Sequence, residues 1–126
     1  MLRVRTSVRP SQIAGLGLFA AEDISKDQII YEWTAKFEQT FTAEEYEKLG
    51  PLQKEFLRHY SFKRSGIRVV SLDDDRFANH SDTPNTYEKG ADTHALRDIA
   101  AGEEITCNYY DFDESADEKL AGIQRS

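Results

Sequence analysis

The sequence holds a single cysteine, Cys107, in 126 residues. That excludes an internal disulfide framework and a zinc cluster built from cysteines, and it fits a reducing compartment. Proline is scarce at 3 residues and glycine numbers 7, too few of either for a collagenous or low-complexity chain. Long apolar runs are absent. The longest lies around Leu16-Gly17-Leu18-Phe19-Ala20-Ala21, far short of the roughly 20 residues a membrane span needs. The first residues, Met1-Leu2-Arg3-Val4-Arg5, lack the hydrophobic stretch of a signal peptide. The expectation is a cytoplasmic protein with no membrane partner. Basic residues are outnumbered, 16 Lys and Arg against 23 Asp and Glu, for a net charge of −7. Such a chain lacks the cationic footprint of phosphate-backbone binding, so direct nucleic-acid binding is not expected. A cationic partner is favoured, because opposite fields steer association.

What is present suits one globular domain: hydrophobic residues make up 39% and charged residues 31%. Leu2, Val4, Thr6 and Val8 alternate with Arg3, Arg5, Ser7 and Arg9, the period of a half-buried strand that Pro10 stops. A glycine turn leads into apolar Leu16-Gly17-Leu18-Phe19, and Gln28 to Trp33 is rich in strand formers. Thr42-Ala43-Glu44-Glu45 has the spacing of a capping box, Gly50 ends that segment, and Pro51 suits the first turn of the next. Leu52, Phe56 and Tyr60 then recur at helical spacing, so residues 42–60 form a helical insert in a β-rich chain. Ile67 to Leu72 returns to strand, Asp73 to Thr86 is polar and turn-like, and His94–Arg97 and Glu104–Tyr109 are two closing strands. Asp23-Ile24-Ser25-Lys26-Asp27-Gln28 is echoed by Asp98-Ile99-Ala100-Ala101-Gly102-Glu103, one turn solution used twice. The expected architecture is mainly β, in several small sheets, with a small helical insert.

The densest polar cluster is Arg76-Phe77-Ala78-Asn79-His80-Ser81-Asp82-Thr83-Pro84-Asn85. Its Asn, Ser and Asp residues serve turns in any fold. A hard-metal site from Asp73-Asp74-Asp75 and His80 is an alternative, although consecutive aspartates on an extended chain point apart. Ser81, His80 and Asp82 are adjacent and do not line up as nucleophile, base and orienter. Gly15-x-Gly17 is a turn, or a place where backbone approaches a ligand closely; with no third glycine and no following helix it is not a dinucleotide fingerprint.

Taken in order, three segments carry more than each does alone: Gly15-Leu16-Gly17-Leu18-Phe19, then Arg76-Phe77-Ala78-Asn79-His80-Ser81 with Pro84-Asn85, then Gly102-Glu103-Glu104-Ile105-Thr106 with Tyr109. Together they resemble the SET-domain protein-lysine N-methyltransferases, and in particular small stand-alone bacterial-type SET proteins without pre-SET or post-SET cysteines. The resemblance runs from about residue 3 to 112 and leaves 113–126 as an acidic C-terminal tail.

The resemblance implies a SET fold, small curved sheets around a knot-like core, and methyl transfer from S-adenosylmethionine to the side-chain amine of lysine in a protein. It implies that Leu16, Gly17 and Leu18 contact the methionine part of the cofactor. Asn79 and His80 take its amino group and adenine edge, and Arg76 frames the pocket. Tyr109 matches the catalytic tyrosine, at the junction of cofactor and substrate channel. Tyr87, Cys107 and Tyr110 are placed in the lysine channel and Phe112 in the cofactor site; without a post-SET zinc lid, Phe112 and the acidic tail, with Tyr110, or else a second subunit, close the adenine and lysine sites. No metal is implied. Eight acids and no Lys or Arg between Asp98 and Glu118 suit a basic protein or peptide substrate. No oligomeric state follows from these motifs. Three departures stand out. Cys107 replaces a frequent Phe or Tyr that limits how many methyls fit, Asn108 replaces a frequent Asp, and Trp33-Thr34-Ala35 replaces a Tyr-x-Gly pattern. The alternatives are a catalytically inactive SET-like module that binds basic protein tails, and a metal-dependent hydrolase on Asp73–Asp75 and His80.

Overall fold

The computed structural model describes residues 1–125, with side chains described through residue 121. Ten short strands and three helices follow in order. They are β1 (Thr6–Pro10), β2 (Leu16–Ala20), β3 (Ile29–Tyr31), β4 (Glu38–Phe41), α1 (Ala43–Glu47), α2 (Pro51–Tyr60), β5 (Phe62–Arg64), β6 (Ile67–Ser71), β7 (Asn79–His80), β8 (Thr86–Lys89), β9 (Asp92–Ala95), β10 (Thr106–Cys107) and α3 (Ala116–Arg125). They make four small sheets: β1-β2, β4-β6-β5, β3-β9-β8 and the two-stranded β10-β7. All pairings are antiparallel except β7 with β10, which run parallel with Thr106 opposite Asn79 and Cys107 opposite His80. A parallel pair needs a long connection. Here it spans β8 and β9, and it sets two segments far apart in sequence side by side.

The repeated turn has a structural reason. Ile24 and Ile99 form an antiparallel bridge, each donating its N–H to the other's carbonyl at 2.8 Å. Asp98 accepts from the Lys26 N–H at 2.8 Å, and Asp23 accepts from the Ala101 N–H at 2.9 Å. Gln28 and Glu103 each reach back three residues to a backbone N–H, of Ser25 and Ala100 respectively. Asp27 and Gly102 occupy the same place in the two copies, and both have positive φ, 68° and 94°. The turns therefore cap each other rather than closing separate hairpins. Ile24 and Ile99 join Val4, Leu18, Ala20, Ile30, Ala95 and Ile105 in the core.

Several boundaries differ from those the sequence suggested. Only Leu2 of the first residues pairs outside β1, through an isolated bridge to Tyr31, and β1 runs through Pro10, which sits at the strand end where its missing N–H does no harm. The insert divides at Gly50 as expected, with the full Thr42/Glu45 capping box. Its buried residue is Leu57, however, whereas Leu52 is 79% exposed and Phe56 lies against Tyr60 at the surface (centroids 5.0 Å apart). The closing strand at Glu104–Tyr109 shortens to β10, because Asn108 caps a 3₁₀ turn over Tyr109–Asp111. The segment expected to be an acidic tail carries α3, and Asp113, Ser115 and Ala116 ahead of and within it are buried.

Ile24 is 1% exposed at the joint of the two turns. Ile24→Ala is expected to cost about 2–5 kcal/mol, read as a lowered denaturation midpoint, whereas Ile13→Ala at the surface should stay within about 0.5 kcal/mol.

Candidate active site

Glu104 organises the first wall of the site. Its carboxylate accepts from Ser11 Oγ at 2.8 and 2.9 Å and from Asn79 Nδ2 at 3.0 Å. The same Nδ2 lies 3.1 Å from the carbonyls of Ala14 and Leu16. Asn79 thus ties the glycine loop to β7 and β10. A Cβ on Gly17 would come within 2.5 Å of Glu104 Oε2, so glycine here makes room for a carboxylate of the protein itself.

His80 and Asn108 set Tyr109. The Tyr109 N–H donates to His80 Nδ1 at 3.1 Å, which puts the imidazole proton on Nε2, 2.8 Å from Asp82 Oδ1. The Tyr109 hydroxyl donates to the Ala78 carbonyl at 2.9 Å. Burial first, then the neighbouring Cys107 and Asp113, push the Tyr109 phenol well above its ordinary range. It stays protonated and acts as a hydrogen-bond donor. Lys119 of α3 lies over the Tyr109 ring, 4.9 Å from its centroid, and pairs with Asp113 at 2.9 Å. Burial alone would raise the Asp113 carboxyl, but Lys119, Ser115 and the Lys63 N–H hold it below its usual range.

Two cavities meet at Tyr109. The larger, about 650 Å³, is lined by Ala14–Leu16, by Arg58, His59 and Tyr60 of α2, by Asn79, and by Glu118 and Lys119 of α3. The narrower, about 60 Å³, has Tyr31, Phe62, Tyr109 and Phe112 as aromatic walls, with Cys107, Asp75 and Glu88 among them. Tyr60, Arg76, Ala78, Tyr109 and Lys119 border both. Asp75 is half-buried and lines the narrow cavity. Burial first, then the charges of Asp73, Glu88 and Glu38, push it up to about 7. Glu88 is pushed up to about 6, mainly by burial, although Thr93 donates to both its oxygens. Burial likewise raises the Cys107 thiol, so it is neutral.

The residues expected at the site divide accordingly. Leu16, Arg76, Asn79 and Tyr109 line the larger cleft, and Cys107 lines the narrow cavity. Leu18, two residues along β2 from Leu16, is fully buried and packs in the core with Ala20, Ile30 and Ile105 rather than lining the cleft. Gly17 packs on Glu104. The His80 ring supports Tyr109 from outside both cavities. Phe112, expected beside the cofactor, lines the narrow cavity instead and meets Phe62 and Tyr109 edge-on.

Tyr87 and Tyr110 fall outside both cavities. Along β8, Thr86 and Glu88 face the narrow cavity, so Tyr87 between them faces away, stacks on His94 and donates to Asp27. Tyr110 is 57% exposed and donates to Asp117. The three aspartates also diverge. Asp73 accepts from the N–H groups of Leu2 and Asp75, Asp74 is exposed, and Asp75 enters the narrow cavity. Nothing local to the sequence marks Glu88, Tyr31, Phe62 or Lys119.

A family model described as SET domain matches residues 15–110. The chain belongs to the SET-domain family. The histone-lysine N-methyltransferase trr of Drosophila melanogaster is 31% identical over 119 residues, covering 79% of this chain and 4% of that protein. The histone-lysine N-methyltransferase mes-2 of Caenorhabditis elegans is 32% identical over 122 residues, covering 86% of this chain and 15% of that protein. This SET domain thus spans a small part of the length of these relatives. Among solved structures, ctPRC2 in an autoinhibited conformation bound to S-adenosylmethionine superposes with a TM-score of 0.69 at 27% identity, over 97% of this chain and 17% of that one. Chaetomium thermophilum Polycomb Repressive Complex 2 bound to GSK126 gives a TM-score of 0.67 at 27% identity, over 94% and 17%.

The raised Asp75 carboxyl makes stability fall with pH. Its unfolded value is 3.8 and its folded value about 7, so between them the folded state holds the extra proton and stability declines as pH rises through that window. Asp75→Asn should therefore raise the melting temperature at pH 8 and lose that advantage by pH 4, as measured by thermal denaturation across pH.

Proposed function

We propose that this chain transfers a methyl group from S-adenosylmethionine to the side-chain amine of a lysine in a basic protein substrate. The observation that carries the reading is the position of Tyr109, the wall between a roomy cleft rimmed by charged side chains and a narrow aromatic cavity. Two reactants of different size and charge entering from separate sides would meet there. The names of the relatives, histone-lysine N-methyltransferases, and a structural neighbour bound to S-adenosylmethionine support it.

The cleft suits that cofactor. Its volume of about 650 Å³ falls within the roughly 300–1,000 Å³ of small-molecule sites. Tyr60 and Phe77 offer flat apolar surface for an adenine, Arg58 and Arg76 offer cations for a carboxylate, and Glu55 and Glu118 offer anions for amino and sulfonium charge. When bound, S-adenosylmethionine supplies an electrophilic methyl on a positively charged sulfur. The protein's part is alignment and desolvation. Asn79 and Glu104 hold the glycine loop, Ala78 and His80 hold Tyr109, and the aromatic cavity keeps water from the amine. Alignment of this kind is worth on the order of 7–11 kcal/mol in favourable cases. The amine must arrive neutral, although free lysine titrates at about 10.4. An apolar enclosure disfavours the ammonium and lowers that value.

The acidic run contributes less to steering than its composition suggests. Glu104, Asp113, Glu114, Asp117 and Glu118 each bind a group of the protein: Ser11 and Asn79, Lys119, the Ser65 and Gly66 N–H groups, Tyr110, and Arg58 with Arg68. The net charge of −7 remains, and it favours a cationic protein over an acidic one.

Tritiated S-adenosylmethionine with core histones, and separately with a cell lysate, tests the reading. Label should enter a basic protein and fall as salt rises, since screening shortens to ~8 Å at physiological ionic strength. Calorimetric binding of the cofactor without any label transfer would favour the inactive binding module instead; absence of cofactor binding would reject both.

Tyr109→Phe should keep the fold and cofactor affinity while transfer drops at least tenfold, which is about 1.4 kcal/mol of transition-state stabilisation. Tyr110→Phe, at an exposed ring, should be near wild type. Equal losses in the two variants would overturn the assignment of Tyr109.

A further inference from the structure

The narrow cavity contains more charge than an apolar amine channel requires. Asp75 comes from the 3₁₀ turn Asp74–Phe77 and Glu88 from β8, so two unrelated elements aim carboxylates into one aromatic space. Glu88 is satisfied by Thr93. The Asp75 carboxylate accepts no hydrogen bond and forms no ion pair among the described residues, and it lines a cavity with aromatic walls. A half-buried carboxylate without a partner in such surroundings is a cost to the fold. Such groups cluster where chemistry uses them.

We propose that Asp75, backed by Glu88, receives the substrate lysine as an ammonium in this cavity and takes its proton before methyl transfer. The inference rests on the methyl-transfer reading above. In the step, one N–H bond of the ammonium breaks, its electron pair stays on nitrogen, and an O–H bond forms on Asp75. The nitrogen becomes the neutral nucleophile, and Asp75, now uncharged, loses its attraction for it. The proton leaves to water when the site next opens.

The surroundings suit the role. Asp73 of the same turn, Glu38 of β4 and Glu88 of β8 bring negative charge towards Asp75, and the N-terminal amine opposes them. The Cys107 thiol of β10 and the Tyr109 phenol are neutral neighbours that neither compete for the proton nor supply one. Arg64 of β5 acts on Glu88, and Lys119 of α3 is occupied by Asp113. With its carboxyl near 7 rather than 3.8, Asp75 lies about three pH units closer to lysine, at about 10.4, than an ordinary aspartate does. The volume of about 60 Å³ holds an ammonium and the methylenes next to it, not a larger head.

The test compares wild type, Asp75→Asn and Glu88→Gln with tritiated cofactor and core histones from pH 6 to 10. Asp75→Asn should lower kcat at least tenfold at pH 7 with unchanged KM for the cofactor, and the deficit should shrink at least threefold by pH 10, where about a quarter of free lysine is already neutral. A deficit of the same size at every pH, or none, overturns the proposal. A second measurement does not need turnover. In protein labelled with ¹³C at aspartate carboxyls and loaded with S-adenosylhomocysteine, n-butylammonium should lower the Asp75 titration midpoint by at least 0.5 pH unit, and n-butanol, uncharged and of similar size, should not. No shift with n-butylammonium overturns the proposal. A wild type that transfers no methyl at any pH overturns the methyl-transfer reading, and the carboxyl titration then decides the cation site by itself.

Discussion

The short parallel pairing of β7 with β10 is the constraint on which the rest of the site depends. It comprises only Asn79–His80 and Thr106–Cys107, too few residues to hold together by their own ladder. A buried asparagine secures it. Asn85 accepts from the Thr106 N–H at 2.9 Å, donates to the Glu104 carbonyl at 2.8 Å, and gives its own N–H to Thr106 Oγ1. Hydrogen bonds of this kind are individually modest, but each is costly to leave unmade once buried. From that joint the site extends in both directions: Asn79 and Glu104 fix the glycine loop, and His80 fixes Tyr109.

The lining of the two cavities shows a division of labour between satisfied and unsatisfied charge. Glu104 and Asp113 are carboxylates with several donors each, and they serve as fixed points of the framework. Asp75 has none among the described residues, and burial with the charges of Asp73, Glu88 and Glu38 raises its carboxyl. A buried charge without a partner is seldom a stability device.

Helix α3 supplies a wall that zinc-bound cysteines cannot supply in a chain with one cysteine. It is held to the insert by Glu118, which lies 4.0 Å from Arg58 and 3.9 Å from Arg68, and to the Tyr109 segment by the Lys119–Asp113 pair. An apolar contact adds to them, Ala116 and Leu120 packing with Cys107, Tyr109 and Phe112. Salt reaches the partly exposed Glu118 pair with Arg58, not the buried Lys119–Asp113 pair.

Local chemistry made much of the protein legible in its sequence. The capping box at Thr42, the division at Gly50, the paired turns at Asp23 and Asp98, and the three ordered motifs are all short-range patterns, and each was realised. Those patterns placed Leu16, Asn79, Tyr109 and Cys107 at the site. What tertiary structure alone decided was direction. Tyr87 and Glu88 are neighbours on one strand, and only the sheet's position against β5 and β10 determines which of them meets the cavity. Tyr110 left the site because Asn108 turned the chain into a 3₁₀ helix one residue before Tyr109. Three consecutive aspartates are alike as a string, yet a cap, a solvent-facing residue and a cavity-lining carboxylate result. A sequence specifies which groups are available and how often they recur. Which side of the backbone they leave, and what already occupies that space, is set by elements packed from elsewhere in the chain.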